Sequence, residues 1–280
     1  MSSKIYFSDQ KSRKPLSYYL VKSISSPAAR IMPNKALKHT KKLLLTPAKS
    51  KTRATVPNHF QQDTIMTPEG AIATISIGSG KTVLLTHGWS GSSKQFIPLM
   101  EKIAEQGYRA IAFDHFAHGQ SGGKFANLPL FIKGLKFVIA HTDNLVGIIS
   151  HSMGTIAALN SSKHLPHVLI APTFGFYESF KQRILSTGIS QKLFHGVLSE
   201  VEKEHNMQFE NLLAEKHIAT QTHPVAAIHD VDDRFAQFTL SQHQAKQHPN
   251  FSLHAVSELG HGRIINSDPT WQLVKKQLLN

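Results

Sequence analysis

Five short segments hold the residues whose types and spacing can do chemistry. Ser150-His151-Ser152-Met153-Gly154 follows the apolar run VGIIS and precedes a helical pattern. A tight strand-to-helix turn there would expose the hydroxyl of Ser152 as a nucleophile, although a serine-capped helix start has the same composition. His87-Gly88-Trp89-Ser90-Gly91 follows TVLLT. Its main chain can turn the Trp89 N–H toward a reacting carbonyl, beside the N–H of Met153, and the two donors would form an oxyanion hole. An ordinary glycine turn is the plainer alternative. His229-Asp230-Val231-Asp232-Asp233-Arg234 crowds three acids at one strand end, where an acid can orient an imidazole, cap a helix or face Ca²⁺. Gly260-His261-Gly262 places the only histidine on the loop after the last expected strand. In Asp114–Gly122, His115 and His118 are closely spaced. No carboxylate or third histidine supports them at ligand spacing, so no metal is expected.

These segments need elements to carry them. Apolar β-rich runs at 82–86, 109–113, 146–150, 167–171, 225–228 and 252–256 alternate with helical patterns at 94–106, 130–140, 153–163, 234–247 and 270–279. A hairpin is expected over 62–77, around Pro68-Glu69-Gly70. The strands read as continuous apolar runs, which predicts a mostly parallel sheet covered on both faces, an α/β fold. Helical character at 177–185, 191–204 and 206–216 fills an interval too long for one crossover. It reads as a helical cap over the carboxyl edge of the sheet, where ligands bind in open α/β sheets. The expected layout is an arm at 1–55, a core at 56–173 and 224–280, and a cap insertion at 174–223.

Ser152, Asp233 and His261 then stand on successive strand ends in the order Ser–acid–His, which is the α/β-hydrolase order. Residues 80–265 resemble an α/β-hydrolase of the serine esterase/lipase type, near the bacterial carboxylesterase, proline-iminopeptidase-like and monoacylglycerol-lipase-like branch. The resemblance rests on HGW (87–89), D-x-x-A-H-G-x-S (114–121), SHSMG (150–154), H-x-x-x-D (229–233) and GH (260–261). It implies that Asp233, rather than Asp230 or Asp232, is the acid. Two residues depart from the family pattern: Ser150 and Asp230 each stand where glycine is usual. The resemblance implies ester hydrolysis through an acyl-enzyme on Ser152, with His261 as base, Asp233 as its orienter, Trp89 and Met153 as main-chain oxyanion donors, and no cofactor. An aminopeptidase or thioesterase would use the same groups. A peptidase of this kind usually displays cap acids toward a substrate amine, whereas Glu200, Glu202, Glu204, Glu210 and Glu215 read more simply as a solvated face.

Composition narrows the classes further. The 280 residues include no cysteine, which excludes disulfides and a thiol nucleophile and fits a reducing compartment. No transmembrane run and no secretory leader are expected, and the expected location is cytoplasmic. The net charge of +13 is uneven: residues 1–55 hold 13 Lys and Arg against Asp9 alone, and the remainder holds 18 against 17 acids. Three readings of this arm compete: a soluble arm packing Leu43–Leu45 on the domain, a weak peripheral contact with anionic lipid, and nucleic-acid binding. The last is disfavoured because aromatic interleaving and a recognition motif are lacking. A catalytically idle fold that binds through this arm is the alternative from outside the enzymes. Pro15, Pro27, Pro33 and Pro47 predict a segment that is irregular or only partly helical, with 34–45 as a short amphipathic helix.

Overall fold

The computed structural model describes residues 14–48 and 54–279. Six of the thirteen basic residues of 1–55 lie outside the described residues, as does Asp9. The centre is an eight-stranded sheet: β1 (Gln61–Thr67), β2 (Gly70–Ile77), β3 (Thr82–Thr86), β4 (Arg109–Phe113), β5 (Leu145–His151), β6 (His167–Ile170), β7 (Val225–Asp230) and β8 (Phe251–Val256). Their spatial order is β1-β2-β4-β3-β5-β6-β7-β8. The β1–β2 hairpin and the β2–β4 pair are antiparallel, and all other pairs are parallel.

The pleat explains the apolar runs. All of β3 is buried, and successive side chains serve opposite faces. Leu84 joins Ile111, Phe113 and Ile148 under α4 (Leu128–Ala140) and α5 (Gly154–Ser161). Val83 and Leu85 join Ala110, Ile149 and Val168 under α3 (Ile97–Ala104) and α10 (Asp268–Leu278). Each such leucine contributes about 2 kcal/mol of burial. This is the α/β fold expected from the strand runs. β4 and β5 flank β3 on opposite sides, so the loops after β3 and β5 meet at a topological switch point.

Between β6 and β7 lie α6 (Phe176–Leu185) and α7 (Gln191–His205). The third helix expected there, 206–216, is absent as such. α7 ends at Asn206 in the left-handed region (φ 50°), and two 3₁₀ turns follow, Phe209–Leu212 and Ala214–Lys216.

In the basic segment the helix expected at 34–45 is present, and a second helix precedes it. Residues Leu16–Ile31 form α1 and Pro33–Leu45 form α2. Pro33 occupies the first position of α2, where its missing N–H is not needed. Pro27 sits inside α1 and removes one helical hydrogen bond without ending the helix. Packing supplies the compensation. Val21 and Ala29 of α1, with Leu37, Leu44 and Leu45 of α2, pack against Leu193, Phe194, Val197 and Val201 of α7. Lys41 bonds Glu204 at 2.8 Å and approaches Glu200 at 3.4 Å. Among the described residues, no helix is long and apolar enough to cross a membrane.

Candidate active site

β5 ends at His151 and α5 begins at Gly154, leaving a two-residue turn for Ser152 and Met153. Ser152 has φ 53°, a left-handed conformation that costs a non-glycine residue about 1–2 kcal/mol. Neighbouring bonds hold it there. Its N–H donates to the Ile170 carbonyl at 3.0 Å, and its carbonyl accepts from the Thr155 N–H and Oγ1. Two glycines let the loop after β3 touch this turn. A Cβ on Gly154 would stand 2.6 Å from the His87 carbonyl oxygen, and one on Gly88 would stand 2.7 Å from the Ser152 Cβ and 3.1 Å from the Met153 nitrogen. The Trp89 main chain therefore lies next to the turn that carries Met153. Ser150, in place of the usual glycine, is fully buried.

The loops after β7 and β8 complete the cluster. His261, on a short helical turn α9 (Gly260–Arg263), places Nε2 2.9 Å from Ser152 Oγ and Nδ1 2.7 Å from Asp233 Oδ2. Asp233 Oδ1 accepts from the N–H groups of Phe235 and Ala236, which delays the next helix, α8 (Phe238–Gln247), beyond the expected start at 234. His229 Nε2 lies 3.3 Å from Asp233 Oδ2, poorly aligned for a full hydrogen bond, while its Nδ1 meets Ser241 Oγ at 2.7 Å. Burial pushes the Asp233 carboxyl up. Its contacts with His229, His261 and the Phe235 N–H outweigh that and hold it well below the usual carboxylate range. The three acids at this strand end thus have separate surroundings. Asp233 meets His261, Asp232 is exposed, and the fully buried Asp230 accepts from the main-chain N–H groups of Leu259 and Gly260 at 2.7 Å each and of Asp232 at 2.8 Å.

Sequence reasoning assigned nothing to Asp230 or His151. Asp230 ties the strand end to the loop that presents His261. The only signal was a carboxylate where the resembling family carries glycine. His151 donates from Nε2 to the His261 carbonyl at 2.9 Å and accepts at Nδ1 from Gln95 at 3.3 Å, a tautomer assigned from this network. Burial lowers His151 to about 3, so the ring stays neutral in that role.

His87, His115 and His118 do structural work. The His115 N–H donates to His87 Nε2, the Ser90 N–H donates to His118 Nε2, and Thr86 Oγ1 meets His115 Nε2. These bonds tie the loops after β3 and β4 together. Asp114 accepts from the Ser93 and Gln120 N–H groups in the same way. Among the described residues, no group of three His, Asp or Glu side chains is arranged to hold a metal ion. A surface groove of about 430 Å³ opens beside β1 and β2, between Gln62, Thr74 and Lys94. Neither Ser152, Asp233 nor His261 lines it, so it is not the site of their chemistry.

Residues 79–230 match the family described as serine aminopeptidase S33, Hydrolase_4. The chain belongs to this family. It has the α/β-hydrolase fold, and the matched span includes Ser152 but ends before Asp233 and His261. An esterase of Pyrococcus furiosus shares the fold at TM-score 0.63 and 19% identity, covering 84% of this chain and 98% of its own. An esterase of Exiguobacterium antarcticum does so at TM-score 0.56 and 16% identity, covering 77% and 99%. At these identities the likeness is one of fold. A putative non-heme haloperoxidase of Mycobacterium phage D29 is 33% identical over 64 residues, which is 22% of this chain and 23% of that protein. The matches to curated relatives thus span about a quarter of those proteins' length.

Proposed function

We propose that this protein is a serine hydrolase of carboxylic esters. His261 Nε2 takes the proton of Ser152 Oγ as the oxygen attacks the acyl carbon. Asp233 holds the His261 tautomer with Nδ1–H inward and balances the imidazolium that forms. The N–H groups of Met153 and Trp89 receive the developing oxyanion. His261 then protonates the leaving alcohol, and water, deprotonated by the same imidazole, releases the acid. The observation that carries this reading is the unbroken chain Asp233–His261–Ser152, at 2.7 and 2.9 Å, ending on a serine held at positive φ.

The family description favours a second reading, removal of an N-terminal amino acid. That reaction needs an acid in the site for the substrate amine. Each acid between β6 and β7 has a partner within the chain, although Glu215 Oε2 is buried without a hydrogen bond. Glu200 and Glu204 face Lys41, Glu210 pairs with Lys216, and Glu178 lies 3.9 Å from Lys181. Glu202 accepts from the Phe209 N–H, and Glu215 from the Gly175 N–H. The loops around Ser152 instead display exposed apolar side chains. Outside 16–45, four large apolar side chains are exposed among the described residues, and three of them, Trp89, Val231 and Phe235, stand on the loops that carry the site. The Phe235 ring lies 5.2 Å from that of His261. Such a mouth suits an acyl or alkyl group better than a charged amine. A panel of p-nitrophenyl esters beside aminoacyl-anilides tests the choice. We expect kcat/KM for short acyl esters to exceed that for every anilide by about a hundredfold or more, or about 3 kcal/mol. A preference for one anilide would reverse the assignment.

Asp230 supplies a separate expectation. In Asp230→Asn one buried acceptor becomes an NH₂ facing main-chain N–H groups, at about 2 kcal/mol. The unfolding midpoint should drop by about 5 °C. kcat should drop about tenfold at unchanged KM, because His261 is loosened and not replaced. Wild-type kcat with a lowered midpoint would make Asp230 purely structural.

A further inference from the structure

α1 has two apolar sides. Val21 and Ala29 face α7, as described above. Leu16, Leu20, Ile24, Pro27 and Ile31 recur at helical spacing along the opposite side. Among the described residues they stand exposed: Leu16 is 88% exposed, Leu20 62%, Ile24 61% and Ile31 76%. A contiguous exposed apolar strip of this kind marks a contact surface. α2 packs on the same helix, α7, and turns Lys35, Lys38 and Lys42 outward, while Leu37, Thr40 and Leu44 turn in. Arg30 flanks the strip on α1, Lys14 lies just ahead of that helix, and residues 14–48 contain no acid.

We propose that α1 and α2 form a docking face for an anionic lipid surface, with the α1 strip entering the headgroup boundary and the lysines of α2 meeting lipid phosphates. Charge complementarity selects this occupant. An interfacial helix combines apolar side chains that enter the acyl boundary with lysine and arginine that meet anionic headgroups, and this face offers both. A nucleic acid would engage the lysines but leave Leu16, Leu20, Ile24 and Ile31 in water, and Tyr19 alone is an exposed aromatic among the described residues of this face. A second copy, pairing strip to strip about a two-fold axis, would bring two acid-free basic faces together. The lipid alone satisfies both halves. The face belongs to α1 and α2, apart from Ser152, Asp233 and His261, so the inference does not depend on the reaction proposed above.

Co-sedimentation of the full chain with vesicles tests it. One set is phosphatidylcholine alone, and the other contains equal parts phosphatidylcholine and phosphatidylglycerol. We expect binding to the anionic vesicles to be about tenfold tighter or more, and to weaken at high salt. Leu20→Ser with Ile24→Ser should reduce it about tenfold at an unchanged unfolding midpoint, because those side chains are already in water. Lys35→Gln with Lys38→Gln and Lys42→Gln should remove the preference for anionic vesicles. Several outcomes overturn the proposal: equal binding to both vesicle types, serine variants that bind like wild type, or a lowered midpoint showing that the strip packs on the protein. So do tighter binding to duplex DNA than to vesicles, and a dimer that the serine pair abolishes in the absence of vesicle binding.

Discussion

Ser152→Ala is expected to lower kcat for a p-nitrophenyl ester by about 10³-fold or more, with KM little changed. The proposed acyl-enzyme forms on Ser152 Oγ, and among the described residues no other hydroxyl is bonded to His261 Nε2. The fold should survive, because alanine meets the same φ of 53° that serine already tolerates, and one partly buried hydrogen bond contributes about 1 kcal/mol. The control is Ser150→Ala, two residues earlier. Ser150 Oγ is buried without a hydrogen-bond partner, so its removal should leave both activity and stability near wild type. Loss of activity in Ser150→Ala, with Ser152→Ala retaining a tenth or more, would move the nucleophile and with it the whole mechanism. An intermediate loss in Ser152→Ala with unchanged pH dependence would mean that water attacks directly, with Ser152 only positioning the substrate.

What the sequence made legible divides along local and non-local physics. β3 and β5–β7 announced themselves because strands covered on both faces carry no alternation, and TVLLT or VAAI can be read without knowing the neighbours. Ser152 and Asp233 stood out because each follows such a strand, and His261 because it stands between glycines after the half-exposed edge strand β8; the structure brings the three side chains within hydrogen-bond reach. α1 was hidden because Pro27 is a local signal against a helix, whereas the packing of Ala29 and Leu44 on Phe194 of α7 joins segments roughly 150 residues apart. The bonds from Asp230 to Leu259 and Gly260 are non-local in the same way, spanning 29 and 30 residues. The start of α8 moved because Asp233 uses its second oxygen on Phe235 and Ala236, so one carboxylate both meets His261 and shapes its own loop.

The fold should also fail in mild acid. His87, His115, His118, His151 and His167 are all buried, and burial is the largest cause lowering each below 6.5: well below for His87 and His115, to about 4 for His167 and to about 3 for His151. In the unfolded chain these rings take protons near 6.5, so below that pH the unfolded state binds more protons than the folded one. Their contribution to stability is therefore fully present above 6.5 and is lost as pH falls toward the folded values. Each ring removes up to about 1.4 kcal/mol per pH unit in that window. Five rings together reach several kcal/mol by pH 5, comparable with a whole domain's stability of about 5–15 kcal/mol. Like charge sharpens this among His87, His115 and His118, since protonating one opposes the next. Asp233 acts in the same direction further down, because its depressed carboxyl loses its contribution only as pH falls below the ordinary carboxylate range. Thermal unfolding from pH 8 to pH 4 reads the effect directly. The midpoint should be level above about pH 7 and drop steeply below 6.5. His167 Nε2 meets the Ser162 carbonyl and touches none of the reacting groups, so His167→Gln keeps a donor there and should remove about one proton from the slope. A midpoint that stays level down to pH 5, or a slope unchanged in His167→Gln, would mean these rings already carry protons in the folded protein and that their burial does not govern its acid stability.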